Sequence, residues 1–258
     1  MKISIKEHLK ILGCFIGLFI AHRFIISQFV WKLIQRHTTI DYVAAVFIAV
    51  SFAVVLFMLY VKWAGWDTFR WKGISWKIWL WTFLLCISQL LFVFTVFGYP
   101  VWLNENNITY GAVTQINLND HIINSFNGIF CYSIITAMLY RGLLQKQISK
   151  FLSPWLSISI VTLVMMLANY NFLPNLLPAF LSGIFVGIIY HKTDKLILCI
   201  FYQSFFTFIY SITRYSLKLD WILLFFVLAI ALTVFTIRGF LRDTAKNNLL
   251  LNDQEIHR

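Results

Sequence analysis

The chain has little charge. Asp, Glu, Lys and Arg make up 12% of its 258 residues, about half the share expected of a soluble domain. Acidic groups are the scarcest: ten against 21 basic residues, for a net charge of +11. From Ile122 to Tyr190 there is no Asp, Glu or His, and from Lys195 to Leu219 there is none again. A zinc hydrolase needs three or more His, Cys or carboxylate ligands around an open position, and no HExxH run is present. An aspartyl intramembrane protease needs two buried carboxylates, and a serine protease in a bilayer needs a histidine on a neighbouring helix. The stretch after Ile122 offers neither. The cysteines, Cys14, Cys86, Cys131 and Cys199, form no CxxC pair, so they read as buried thiols rather than a disulfide or metal framework. Cys14 follows Ile11-Leu12-Gly13, but the apolar run before it is too short for a signal peptide, and the segment reads as an uncleaved first helix. There is no phosphate-binding glycine loop, no Gly/Pro linker and no internal repeat.

Apolar residues, by contrast, fill 60% of the chain, and the mean hydropathy is +0.78. No single soluble core could hide that much apolar surface. A membrane helix needs roughly 20 mostly apolar residues, and the sequence divides into eight such segments. They run over about 10–31, 42–61, 78–100, 121–140, 154–170, 176–190, 196–212 and 221–237. The fold class expected is therefore all-α: a polytopic membrane helix bundle forming one transmembrane domain over 1–258. Within it, 1–120 holds the first three helices, 121–214 the central four, and 215–258 the last helix and a polar tail.

The basic residues orient this bundle. The N-terminus, the 62–77, 141–150 and 192–195 loops and the C-terminal tail hold 16 of the 21, and the 101–119 loop holds none. By the positive-inside rule both termini are cytoplasmic. Trp63, Trp66, Trp71, Trp76, Trp79 and Trp81 crowd one inner loop and its flanks, as an interfacial aromatic belt does. With the charges so placed, +11 reads as topology and not as a nucleic-acid surface. Ala179, Gly183 and Gly187 recur every four residues, a spacing that lets helices pack closely. The stretch Leu143 to Phe151, with Lys146 and Lys150, reads as an amphipathic piece lying on the inner surface. Asn119 and Asp120, beside His121, read as a helix cap. His22 and Arg23 read as snorkelling side chains.

A sequence of short patterns in the central segments has a family resemblance. Tyr140-Arg141-Gly142-Leu143-Leu144-Gln145 closes the fourth segment. A glycine-rich helix, Phe180-Leu181-Ser182-Gly183-Ile184-Phe185-Val186-Gly187, follows and ends in His191-Lys192-Thr193-Asp194-Lys195. From about Ser133 to Phe208 this resembles the CPBP family of CAAX-protease and bacteriocin-processing (Abi) membrane proteins. The family's catalytic pattern is a glutamate pair with an arginine behind it, then Phe-x-x-x-His, then His-x-x-x-Asn/Asp. Arg141 matches the arginine. Thr136 and Ala137 stand at the glutamate positions, about Met165 and Asn169 at the Phe and His, and about Gln203 and Thr207 at the last pair. Neutral amides and hydroxyls are poor proton acceptors and poor zinc ligands, so neither a zinc cofactor nor a catalytic residue is expected. Thr136, Asn169 and Gln203 could instead form a neutral hydrogen-bonded network.

The resemblance implies a degenerate, non-catalytic member in a bacterial cell membrane. It would act on a membrane or cell-envelope protein or peptide partner, in bacteriocin self-immunity or in control of an envelope enzyme or sensor. Two alternatives remain open. One is a divergent intramembrane endopeptidase using Asp120, His121 or His22 beside Arg141. The other is a small transporter built around Asn124 and Asn127 in the fourth segment.

Overall fold

The computed structural model describes residues 73–105, 133–169, 176–213 and 222–256, with isolated positions between 12 and 62. Among the described residues there are six helices and no strand, as an all-α fold requires. Helix α1 is Trp76–Glu105. Helix α2 starts with Ser133–Thr136, widens into a π-helix over Ala137–Gln145 and closes with Lys146–Ile148. Helices α3, α4, α5 and α6 are Pro154–Asn169, Leu176–Thr193, Leu196–Thr213 and Ile222–Ile256. By length and composition one stretch among the described residues, Trp76–Val93, suffices to cross a membrane. Pro154–Met166, Ala179–Thr193 and Leu196–Ile209 are shorter apolar helices. The first two expected segments, Cys14, Cys131, His22, Arg23, Asn119, Asp120, His121, Asn124 and Asn127 lie outside the described residues.

The chain forms two compact units, 1–68 with 126–188 and 69–125 with 189–258. In the second unit α1 and α6 run side by side and antiparallel. Phe92 meets Phe226 and Trp81 meets Phe235 at ring-centroid distances of 5.5 and 5.4 Å. Further along the pair, Asn247 Nδ2 donates to the Gly73 carbonyl at 2.9 Å. Helix α5 adds a third member through Trp79–Phe201 and Phe83–Phe205, and through a hydrogen bond from the Tyr202 hydroxyl to Gln89 Oε1. The Cys86 and Cys199 thiols are buried and donate to the Tyr202 and Lys195 carbonyls, each at 3.7 Å. Local caps fix the ends. Ser75 Oγ accepts from the Lys77 amide at the start of α1. Asp194, at φ 50°, ends α4 in the left-handed conformation. Pro154 occupies the first turn of α3, where a missing N–H costs nothing. Hydroxyls within the helices turn back on their own backbone: Thr82 to Ile78 O, Thr233 to Ala229 O and Thr244 to Phe240 O. That pairing leaves fewer polar groups facing apolar surroundings.

Two expectations from the sequence need correction. Residues 143–147 are no surface-lying piece: α2 continues through them, and Leu143, Gln145 and Gln147 are buried. Arg141 is likewise no loop residue, because its side chain is fully buried. Hydropathy reads each polar residue as an exit from the bundle, yet here Arg141 and Gln145 are hydrogen-bonded within it. The last helix also continues far beyond its apolar stretch. At 1.5 Å per residue its 35 residues span about 52 Å, well beyond a hydrocarbon layer of about 30 Å.

Gly239 gives the Trp81 indole its seat, since a Cβ there would come within 2.4 Å of Trp81 Cζ2. The indole N–H donates to Asp243 Oδ2 at 2.8 Å, one helical turn on. That bond holds the Asp243 carboxyl below its usual range, helped by Arg242 and Lys77 and opposed by partial burial. A lowered folded pKa stabilises the fold above the ordinary carboxylate value, about 3.9, and the benefit is lost as pH falls through the lowered value. Asp243→Asn is therefore expected to destabilise by on the order of 1 kcal/mol near neutral pH. The melting temperatures of variant and parent should converge on acidification below about pH 4.

Candidate functional site

The first unit is organised around Arg141. Its helix is π-helical over nine residues, a wide form that is rare and frequently found at functional positions. A buried guanidinium is costly unless its donors are met. Nη1 donates to Gln145 Oε1 at 2.9 Å, four residues along the same helix. Nη2 donates to the Gly183 carbonyl at 2.7 Å and, more weakly, to Thr162 Oγ1 at 3.4 Å. Gln145 in turn donates from Nε2 to the Gly187 carbonyl at 2.9 Å. Arginine and glutamine together thus tie α2 to α3 and to two successive turns of α4.

The glycines explain why those carbonyls can be reached. Lacking side chains, Gly183 and Gly187 leave the second lone pair of each helical carbonyl uncovered. They also admit the neighbouring helices. A Cβ on Gly183 would come within 2.4 Å of Thr162 Cγ2 and 3.1 Å of Met165 Cε. On Gly187 it would come within 2.6 Å of Ile158 Cγ2 and 3.1 Å of Arg141 Nη1. Ala179, the third small residue of the stripe, is buried one turn earlier.

Of the positions aligned with the family's catalytic pattern, Thr136, Ala137, Arg141 and Met165 are buried in this unit. Thr136 Oγ1 makes a long, 3.5 Å bond to the Ser133 carbonyl, and Ala137 brings no polar group. Asn169 ends α3, and its side chain lies outside the described residues. Gln203, buried, and Thr207, half-buried, lie on α5 in the second unit. His191 carries the one imidazole among the described residues and is exposed at the end of α4. No cluster of three or more His, Cys, Asp or Glu suited to a metal occurs among the described residues.

Sequence reasoning overlooked Gln145, Thr162 and Gln147. The four-residue step from Arg141 to Gln145 was a readable sign, since i and i+4 share a helix face. Gln147 is buried, with neither amide atom hydrogen-bonded among the described residues. Such a group costs about 1–3 kcal/mol while it stays unpaired.

The segment holding this cluster matches a known family. Residues 120–209 fit the family described as type II CAAX prenyl endopeptidase Rce1-like. The matched segment is Rce1-like. It covers about a third of the chain, from before α2 to within α5. No curated protein and no solved structure matches. Together with the apolar composition, the match of this segment supports a CAAX-protease-like membrane protein.

Proposed function

We propose that this protein keeps the helical frame of a CAAX-type protease but acts by binding a partner in the membrane instead of cutting a peptide. The observation that carries this reading is how Arg141 is used. In the resembling family the arginine stands behind a glutamate pair, whereas Thr136 and Ala137 stand there in this chain. The guanidinium is directed at a glutamine, a threonine and a backbone carbonyl, holding helices together. Neither Thr136 nor Ala137 can take a proton from water at neutral pH or bind zinc well. The unpaired Gln147 amide adds support, because a partner's polar group could satisfy it.

In this reading the chain crosses a bacterial plasma membrane about eight times with both termini in the cytoplasm. Its partner is a cell-envelope protein or a peptide such as a bacteriocin. Incubating the purified protein with prenylated and unprenylated CAAX peptides, with and without zinc, tests the non-catalytic part. No cleavage is expected under any condition. Zinc-dependent cleavage that Thr136→Ala or Gln203→Ala abolishes would establish a divergent endopeptidase instead.

A further inference from the structure

A basic ridge follows the apolar stretch of α6. Arg238, Arg242 and Lys246 are four residues apart and all exposed, so they lie along one side of the helix about 6 Å from one to the next. The residues before them face outward and are apolar: Val227, Leu228, Ile230, Val234 and Phe235. Helix packing sets the depth of the ridge. Trp81 of α1 rests on Gly239 and donates to Asp243, while Asn247 binds the Gly73 carbonyl just ahead of α1. The basic residues therefore lie level with the start of α1, where Trp76 is exposed beside Lys77. Exposed tryptophan at the end of an apolar helix marks the headgroup layer of a bilayer.

Other bases gather at this level. Asn248 Nδ2 donates to the Lys192 carbonyl at 3.3 Å, which brings the α4–α5 turn alongside. Lys77 is close enough to Asp243 to act on its carboxylate. The opposing acids are Asp243, which pairs with Arg242 at 3.2 Å, and Asp194 in the turn. Among the described residues at this level six bases, with Lys195 buried in the turn, stand against these two acids. The next acids on α6, Asp253 and Glu255, come at least seven residues after Lys246, about 10 Å further along the helix. Among the described residues, positive charge thus outweighs negative charge at the headgroup level.

We infer that the Arg238–Arg242–Lys246 ridge, with Lys77 and Lys192, is a docking surface for anionic phospholipid headgroups. This rests on the membrane reading but not on the absence of cleavage. Juxtamembrane bases each strengthen attachment to anionic lipid severalfold, and arginine forks suit phosphate oxygens. Phosphate chemistry alone would also admit a soluble phosphate ester. The lipid is favoured because outward apolar residues lead directly into the ridge and can take its acyl chains.

The test uses the full chain in nanodiscs, with spin-labelled phosphatidylglycerol and phosphatidylcholine as probes. Insertion into pure phosphatidylcholine discs checks the membrane reading on its own. The parent protein is expected to retain labelled phosphatidylglycerol in preference to phosphatidylcholine. Arg238→Gln/Arg242→Gln/Lys246→Gln is expected to abolish the preference, and Arg238→Lys/Arg242→Lys to keep it. On the parent protein, 1 M salt, which shortens the Debye length to about 3 Å, is expected to erase it too, which covers a triple variant that fails to fold. A preference that survives salt or the triple substitution would overturn the proposal. Displacement of the lipid by millimolar glycerol phosphate would also overturn it, in favour of a soluble-phosphate site.

Discussion

Arg141→Lys is expected to destabilise the protein at least as much as Arg141→Met, although it keeps the charge. The arginine meets different acceptors with its two terminal nitrogens: Gln145 Oε1 from one, and the Gly183 carbonyl and Thr162 Oγ1 from the other. A lysine has one nitrogen at the end of a shorter stem and cannot span those positions. It would still bring a charge into a fully buried position, at a cost of several kcal/mol when poorly paired. Methionine loses the same bonds, each worth about 1.5–3 kcal/mol for a charged donor, but recovers the cost of burying the charge. Both losses are expected on the order of 3 kcal/mol, since hydrogen bonds to charged groups dominate each balance. Denaturation in mild detergent, followed by Trp fluorescence, would rank the two variants. A lysine variant close to the parent in stability would show that the fork geometry is unimportant.

The second large effect concerns the approach of α3 and α4. Gly183→Ala is expected to cost about 1–3 kcal/mol through overpacking, because its new methyl would lie 2.4 Å from Thr162 Cγ2. Thr162→Ser removes that methyl but keeps the hydroxyl that accepts from Arg141. The double variant Gly183→Ala/Thr162→Ser should therefore recover most of the loss. A double-mutant cycle reads this directly, since contacting residues show non-additive energies of about 0.5–3 kcal/mol. Additive effects would mean that the clash lies elsewhere.

Several features were legible in the sequence because they follow from a local pattern. The segment expected from Pro154 to about 170 is helix Pro154–Asn169, and those expected from 176 and 196 begin at Leu176 and Leu196. Apolar runs bounded by Pro154 and by the Lys192–Lys195 turn define these ends without tertiary information. The third segment was legible too, and the helix extends it at both ends to Trp76–Glu105. Two other helix ends were hidden. The stretch from Leu143 to Phe151 reads as surface-lying, yet α2 continues to Ile148 and buries Gln145 and Gln147. The tail after Ile237 reads as polar, yet its Leu, Ala, Lys and Gln residues favour helix and α6 continues to Ile256.

For the site, sequence alone singled out Arg141, but its place in a charge count put it in a loop. Counting cannot tell a flanking arginine from one whose terminal nitrogens are hydrogen-bonded inside. The acceptors decide that, and two of the three lie 21 and 42 residues away along the chain. The small-residue stripe was read for packing, and it also exposes the carbonyls that Arg141 and Gln145 use. That second role depends on which side chain stands opposite, which no spacing on α4 can reveal.

The central question is whether Arg141 serves structure or chemistry. Thermal unfolding and turnover of a prenylated CAAX peptide, measured on the same preparations of parent and Arg141→Lys protein, answer it most directly. The expected result is a clear fall in melting temperature for the variant and no turnover by either protein, with or without zinc. Turnover by the parent that Arg141→Lys abolishes, with unfolding unchanged, would contradict a structural role and restore the protein to the working proteases.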